Sequence, residues 1–322
     1  MRYSLLSRFQ GGLLGGFLGE TLIGSSSKRE GTIALEKKLV PWNRLGINPI
    51  EPLLASGTLS AEDWEQIGAR LSTTLEGKTP TNGGELAVAA LPILFFFHDD
   101  LGLLKEQLQH LVNIWQSSAQ TLEDVLIWAY AIALALREKL DPDRLLSQIL
   151  ARYRLAQTPL MDQLEQVRTW LEQGTSLRQA IAQISKGGKP NPIVLALYCF
   201  ARTPEDFRLC LMQAIRTGKQ ASLVAALTGA LAGAHNSFSG IPIDWRVAVG
   251  KHPTGQKLTR EVTCLFAAWS GAYRLEGLDT LESAAVTSPL VMQPRSSLKI
   301  ISQGEYSFLD PLFNVDSKVI KK

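Results

Sequence analysis

The sequence predicts an all-α protein, and three observations carry that prediction. Apolar residues recur at three- and four-residue steps along most of the chain. Strand-like alternation is almost absent, and helix-starting residues precede many of the periodic runs. The pattern gives one compact domain of about a dozen helices over residues 1–275. A C-terminal extension of weak periodicity, residues 276–322, follows it.

The elements can be justified in order. After Arg8 comes the apolar stretch GGLLGGFLGETLIGSSS, with glycines at Gly11, Gly15 and Gly19, four apart. Residues 24–50, with SSSKREG, Pro41 and Pro49, read as irregular. Ser60 followed by Asp63 is an N-cap with a capping-box acid opening WEQIGARLSTTL. Pro80 to Gly84 is a loop, and Glu85 to Phe97 reads as one buried helix. His98-Asp99-Asp100 ends it, and the aspartates suit the N-cap of a helix from Leu101 to Trp115. Thr121 is read as the cap of LEDVLIWAYAIALALREKL, which carries its acids early and its bases late, as a helix dipole prefers. Asp141-Pro142 is read as the next start, with proline at the first position. Pro159–Glu172, Ser176–Ser185 and Pro192–Phe200 follow, with Gly187-Gly188 as a stop. Further helices are expected from Thr203-Pro-Glu-Asp206 to about Arg216, over Gln220 to Ala234, and over Gln256 to Tyr273. The extension's Leu290, Val291, Ile300, Ile301, Phe308, Leu312 and Phe313 are expected to pack on the domain, the alternative being a tail from Leu278 onward that docks on a partner.

Composition excludes several classes. Hydrophobic residues make up 45% and charged residues 20%, with a net charge of +3; this is neither a disordered tail nor a coiled coil. So mild a basic excess, with pI about 8.7, argues against a nucleic-acid partner. Cys199, Cys210 and Cys264 form no CxxC, which leaves no disulfide scaffold or zinc knuckle and fits a reducing cytoplasm. The apolar run Leu86 to Phe97 is too short to span a bilayer. The N-terminus imitates a signal peptide, but Glu20 interrupts its apolar stretch and no good cleavage site follows. HExxH, GxSxG and P-loop motifs are missing, and no strand precedes the Gly11–Gly19 run to make it a dinucleotide fingerprint.

A second glycine ladder, Gly229 and Gly233 with Ala230 and Ala234 beside them, repeats the four-residue step. Such ladders serve either close packing of two helices or the approach of a ligand to the backbone, and spacing does not choose. At these segments the chain resembles the ADP-ribosylglycohydrolase family. Arg8 to Glu20 resembles the family's first helix, RF-x-G-x-L-x-G-x-x-x-GD. Thr228 to Ala234 followed by Ile241-Pro-Ile-Asp-Trp245 resembles TGALAGA…IP-x-x-W. Asn82-Gly83-Gly84 and the helix after it resemble NG-x-x-M-R-x-x-P. The likeness covers roughly residues 6–275 and implies an all-α bundle with a central cleft.

It also implies a pair of magnesium ions that help cleave the glycosidic bond of ADP-ribose on an acceptor, held by carboxylates from a T-D-D-T and a D-x-D-T stretch. Here the sequence departs from the family. The D-x-D-T positions fall on Gln220-Ala221-Ser222-Leu223, after Lys219. The T-D-D-T falls near Val40-Pro41-Trp42-Asn43, and no Asp-Asp pair occurs between Gly24 and Glu62. The family's arginine falls on Ala87, its proline near Ala90 or Pro92, and its first-helix aspartate on Glu20. Each missing charge contact is worth on the order of 4 kcal/mol at an effective dielectric near 20. A tight dinuclear site is therefore not expected, and neither a metal nor a cofactor.

The family-like scaffold together with these departures from it points to a non-hydrolytic binding or scaffold protein, with an ADP-ribose-like nucleotide or a protein as partner. The alternative is a hydrolase working through an altered site around Glu20, the one weak catalytic candidate. Candidate ligand residues are Asn82, Gly83 and Gly84, whose amides open a helix, with Gln220, Ser222 and His235. The Asn82 triplet has a plainer reading as a turn and His235 as a helix-end histidine, while Gln220 and Ser222 can give only neutral ligands. Trp42, Phe238 and Trp245 serve either as stacking surfaces or as core.

Overall fold

A computed structural model describes residues 3–22, 50–74, 82–115, 117–154, 158–186, 191–218 and 220–271. The chain divides into two units, Met1–Trp269 and Ser270–Lys322. The predicted extension, the irregular 24–49 stretch, Trp42 and Lys219 lie outside the described residues. All fifteen described α-helices belong to the first unit, and the described residues contain no strand.

The helices, in order, are α1 (Leu5–Leu22), α2 (Ile50–Ser56), α3 (Ala61–Thr74), α4 (Gly83–Ala89), α5 (Leu91–Phe96), α6 (Leu101–Ile114), α7 (Ala119–Leu136) and α8 (Leu145–Arg152). Then come α9 (Pro159–Glu172), α10 (Leu177–Lys186), α11 (Pro192–Arg202), α12 (Phe207–Ile215), α13 (Ala221–Asn236), α14 (Ile243–Lys251) and α15 (Pro253–Trp269).

Local chemistry sets most boundaries. Ser60 and Asp63 form the expected capping box: Ser60 N donates to Asp63 Oδ2 at 2.8 Å, and Asp63 N donates back to Ser60 Oγ at 3.2 Å. Asp100 caps α6 and Thr158 caps α9. Several starts differ from the sequence reading: the helix expected at Thr203 begins at Phe207 behind its cap Asp206, and the one expected at Gln256 begins at Pro253. The buried run from Glu85 is two helices, because Pro92 has no N–H to continue the first and instead opens the second. Ser118, rather than Thr121, caps α7, accepting from Thr121 N. Asp141-Pro142 forms a turn closed by Arg144 N donating to Asp141 O, and α8 begins at Leu145. Two short helices, α2 and α14, were not anticipated.

At the centre lies α13, whose residues from Val224 to Ala234 are all buried. Its Ala, Leu and Gly composition suits a helix covered on every side. It packs on α1, α12, α11, α7 and α4. α7 is long and apolar enough to cross a membrane by length and composition, but 67% of it is buried in the fold. That apolar surface meets α4, α5, α6 and α13. Phe9 of α1 anchors an aromatic group, with its ring 5.4 Å from Phe95 and from Phe266 and 5.9 Å from Trp269.

Candidate functional site

α1 and α13 run antiparallel with their glycine ladders face to face. A Cβ on Gly11 would overlap the Gly233 carbonyl, one on Gly15 the Gly229 carbonyl, and one on Gly19 the Ala225 carbonyl. The ladders therefore serve backbone-to-backbone packing, the first of the two roles the spacing allowed. This register sets the last turn of α1 beside the first turn of α13. Glu20, only 7% exposed, thus lies at the same end of the pair as Gln220, Ala221 and Ser222. Gln220 is the half-buried N-cap residue of α13 and makes no side-chain cap bond. Ser222 is half-buried, and the first turn of α13 carries no acid.

His235 stands at the other end of α13. A helix rises about 1.5 Å per residue, so thirteen residues put roughly 20 Å between Ser222 and His235. The structure therefore does not bring His235 together with Gln220 and Ser222. Its Nε2 is 3.5 Å from Glu205 Oε1. Burial holds its pKa below the ordinary value, against the pull of Glu205.

Asn82, Gly83 and Gly84 open α4. Asn82 Oδ1 accepts from Glu85 N at 3.1 Å, so its oxygen serves as the cap. Both glycines are buried. A Cβ on Gly83 would sit 3.0 Å from Asp124 Oδ2, and one on Gly84 2.7 Å from Pro192 Cγ. These residues let α4 press on α7 and α11, and the acid beside them is the chain's own Asp124. Ala87, at the family's arginine position, is fully buried.

Sequence reading missed Asp124. It is 7% exposed, and its two oxygens accept from Gln120 Nε2 and Asn191 Nδ2, each at 3.0 Å. Burial raises its pKa, and the two hydrogen bonds oppose that. Gln120 one helical turn earlier was a visible signal; Asn191 was not, because only the fold brings it near.

Several plain readings hold. His98 is buried, with Nδ1 2.7 Å from Phe95 O. Trp245 is core, 4% exposed and edge-on to Phe207. Phe238 lies under the Arg246 guanidinium. Among the described residues, no three His, Cys, Asp or Glu side chains gather as a metal-ligand group.

A family model for ADP-ribosylglycohydrolase matches residues 50–274, most of the chain. The chain belongs to the ADP-ribosylglycohydrolase family. The match leaves α1 outside it, so the first-helix likeness rests on the motif and on the α1–α13 packing. A solved structure titled as an ADP-ribosylglycohydrolase-related protein complex aligns with a TM-score of 0.60 at 17% identity. The alignment covers 83% of this chain and 99% of that one, and at such identity it shows the fold alone. No curated protein matches.

Glu20 offers one carboxylate, while Gln220 and Ser222 offer a neutral amide and a hydroxyl. Two Mg²⁺ ions call for several hard anionic oxygens, and α13 supplies none from its first turn.

Proposed function

We propose that this chain is a non-hydrolytic ADP-ribosylglycohydrolase that works by binding. An ADP-ribose-like nucleotide is the ligand the family scaffold suits; a protein partner is the other outcome. One observation carries the reading: the turn of α13 that lies beside Glu20 is Gln220-Ala221-Ser222-Leu223, with no acid in it. The helix pair that frames the site is retained to the level of glycine-on-glycine contact, while the charge that would hold the ions is gone. Fold alone does not carry activity when the site has changed. The three cysteines are free thiols, which supports a cytoplasmic location.

Calorimetric titration of ADP-ribose, with magnesium and then with a chelator, tests the reading. Equal binding in both supports a metal-independent reader. Binding or product release that requires magnesium overturns it. If ADP-ribose fails to bind in either condition, the nucleotide role falls and a scaffold role toward a protein is left.

A further inference from the structure

A cavity of about 410 Å³ opens between α8, α9 and α11 and takes no residue from the α1–α13 pair. Two guanidiniums line it, Arg168 from α9 and Arg202 from the end of α11. Arg202 is fixed in advance. Its Nη1 donates to Thr175 O at 2.8 Å and to Tyr198 Oη at 3.1 Å. Its Cζ lies 5.8 Å from the Tyr198 ring centroid. Tyr198 is itself fully buried, with its hydroxyl donating to the same Thr175 carbonyl at 2.7 Å. Gly174, at φ +65°, ends α9 and turns the chain so that this carbonyl meets both donors. A guanidinium held this way loses little freedom when it binds an anion.

Arg168 pairs through Nη2 with Glu165 at 2.7 Å, and its Nε is buried without a hydrogen-bond partner. The cavity also holds the Ser147 and Thr175 residues, and the amino end of α8 opens into it with no side-chain cap and no acid in its first turn. Guanidiniums, a hydroxyl-bearing pair and an uncapped helix start are the donors that cradle a phosphoryl group.

Two carboxylates, Asp143 and Glu172, also line the cavity, and both residues are exposed. Within the lining they match the two arginines in number, and Glu165 is already paired with Arg168. A polyanion such as nucleic acid would meet them unfavourably, whereas sugar hydroxyls would donate to them.

We propose that this cavity binds a small sugar phosphate, with the phosphate between Arg168 and Arg202 and the hydroxyls on Asp143 and Glu172. The site does not depend on the nucleotide reading above, since it uses none of those residues.

The test is calorimetric titration of the full chain with ribose 5-phosphate, inorganic phosphate and ribose. Saturable binding of ribose 5-phosphate is expected, with phosphate weaker and ribose silent. Arg168→Gln is expected to weaken binding about tenfold or more, as loss of a charge-assisted contact does. Arg168→Lys should recover part of that loss. Glu172→Gln should weaken ribose 5-phosphate and leave phosphate unchanged or tighter. Thermal unfolding confirms that each variant is folded, and Arg168, being partly exposed, is chosen for that reason. No saturable binding at millimolar ligand, or binding untouched by Arg168→Gln, overturns the site. Equal affinity for phosphate and ribose 5-phosphate overturns the sugar assignment.

Discussion

Gly15 and Gly229 meet with only backbone between them: a Cβ on either would overlap the other's carbonyl oxygen. Neither helix can move aside easily, because α13 is enclosed by five others. Gly15→Ala and Gly229→Ala are each expected to destabilise the protein by about 3 kcal/mol or more, the upper range of overpacking penalties. Gly250→Ala is the control. It lies in α14 with nothing within 4 Å of its Cβ position, so alanine should be neutral or add up to about 1 kcal/mol. The double alanine variant should cost less than the sum, since one separation of the helices relieves both clashes. Urea unfolding measures all four; a Gly15→Ala protein as stable as Gly250→Ala would contradict the packing.

What the sequence made legible were the features written in local chemistry. Ser60 with Asp63, and the aspartates before Leu101, announce their helices because capping involves only neighbouring residues. The glycine ladders were legible as ladders because a four-residue period survives without a partner. What they touch was not, since the two-thirds of the chain between Gly15 and Gly229 says nothing about proximity. Asn82-Gly83-Gly84 shows the same limit. The triplet looks like an anion cradle in isolation, and only the arrival of Asp124 and Pro192 makes it a packing joint. Thr121 reads as the cap in sequence and Ser118 is the cap in the fold, because the choice depends on the path by which the chain enters α7. Grouping His235 with Gln220 was avoidable, because helix rise alone separates them.

Asp124 predicts a pH dependence with a definite sign. Its folded pKa is raised above the ordinary 3.8, so the folded state holds the proton better than the unfolded state. The stabilisation is complete below the unfolded pKa and is lost as pH rises from there through the raised value. Asp124→Asn removes this titration, at the cost of the bond accepted from Asn191 Nδ2. The stability of the natural protein relative to the variant should therefore fall as pH rises above about 4. Chemical unfolding of both across that window checks it, and a flat difference would contradict the raised pKa.

The three thiols should divide into two classes. Cys199 and Cys210 are buried; burial pushes the Cys199 thiol up strongly and the Cys210 thiol to about 12. Cys264 is half-buried, raised by burial and pulled back by Arg260. Thiolate is the reactive form. In mildly alkaline buffer a disulfide reagent should modify Cys264 in the native protein and reach Cys199 and Cys210 only on unfolding. Three fast thiols in the native state would be inconsistent with this burial.

Returning carboxylates to α13 separates the charge argument from the fold argument. In Gln220→Asp/Ser222→Asp the new acids stand at the helix N-cap and first turn, beside Glu20. Gln220 makes no cap bond, so an aspartate there should add about 1 kcal/mol through capping. Repulsion from Glu20 opposes that gain, and the metal-free variant should melt close to the natural protein. Three carboxylates then form the hard-oxygen set that one divalent cation prefers. Magnesium should raise the variant's melting temperature and leave the natural protein's unchanged, because a ligand that binds only the native state stabilises it. ADP-ribosyl hydrolysis should not follow, since no Asp-Asp pair between Gly24 and Glu62 is available for a second ion. If magnesium stabilises the natural chain as much as the variant, the missing acids of α13 do not decide its metal affinity, and the hydrolase reading is revived.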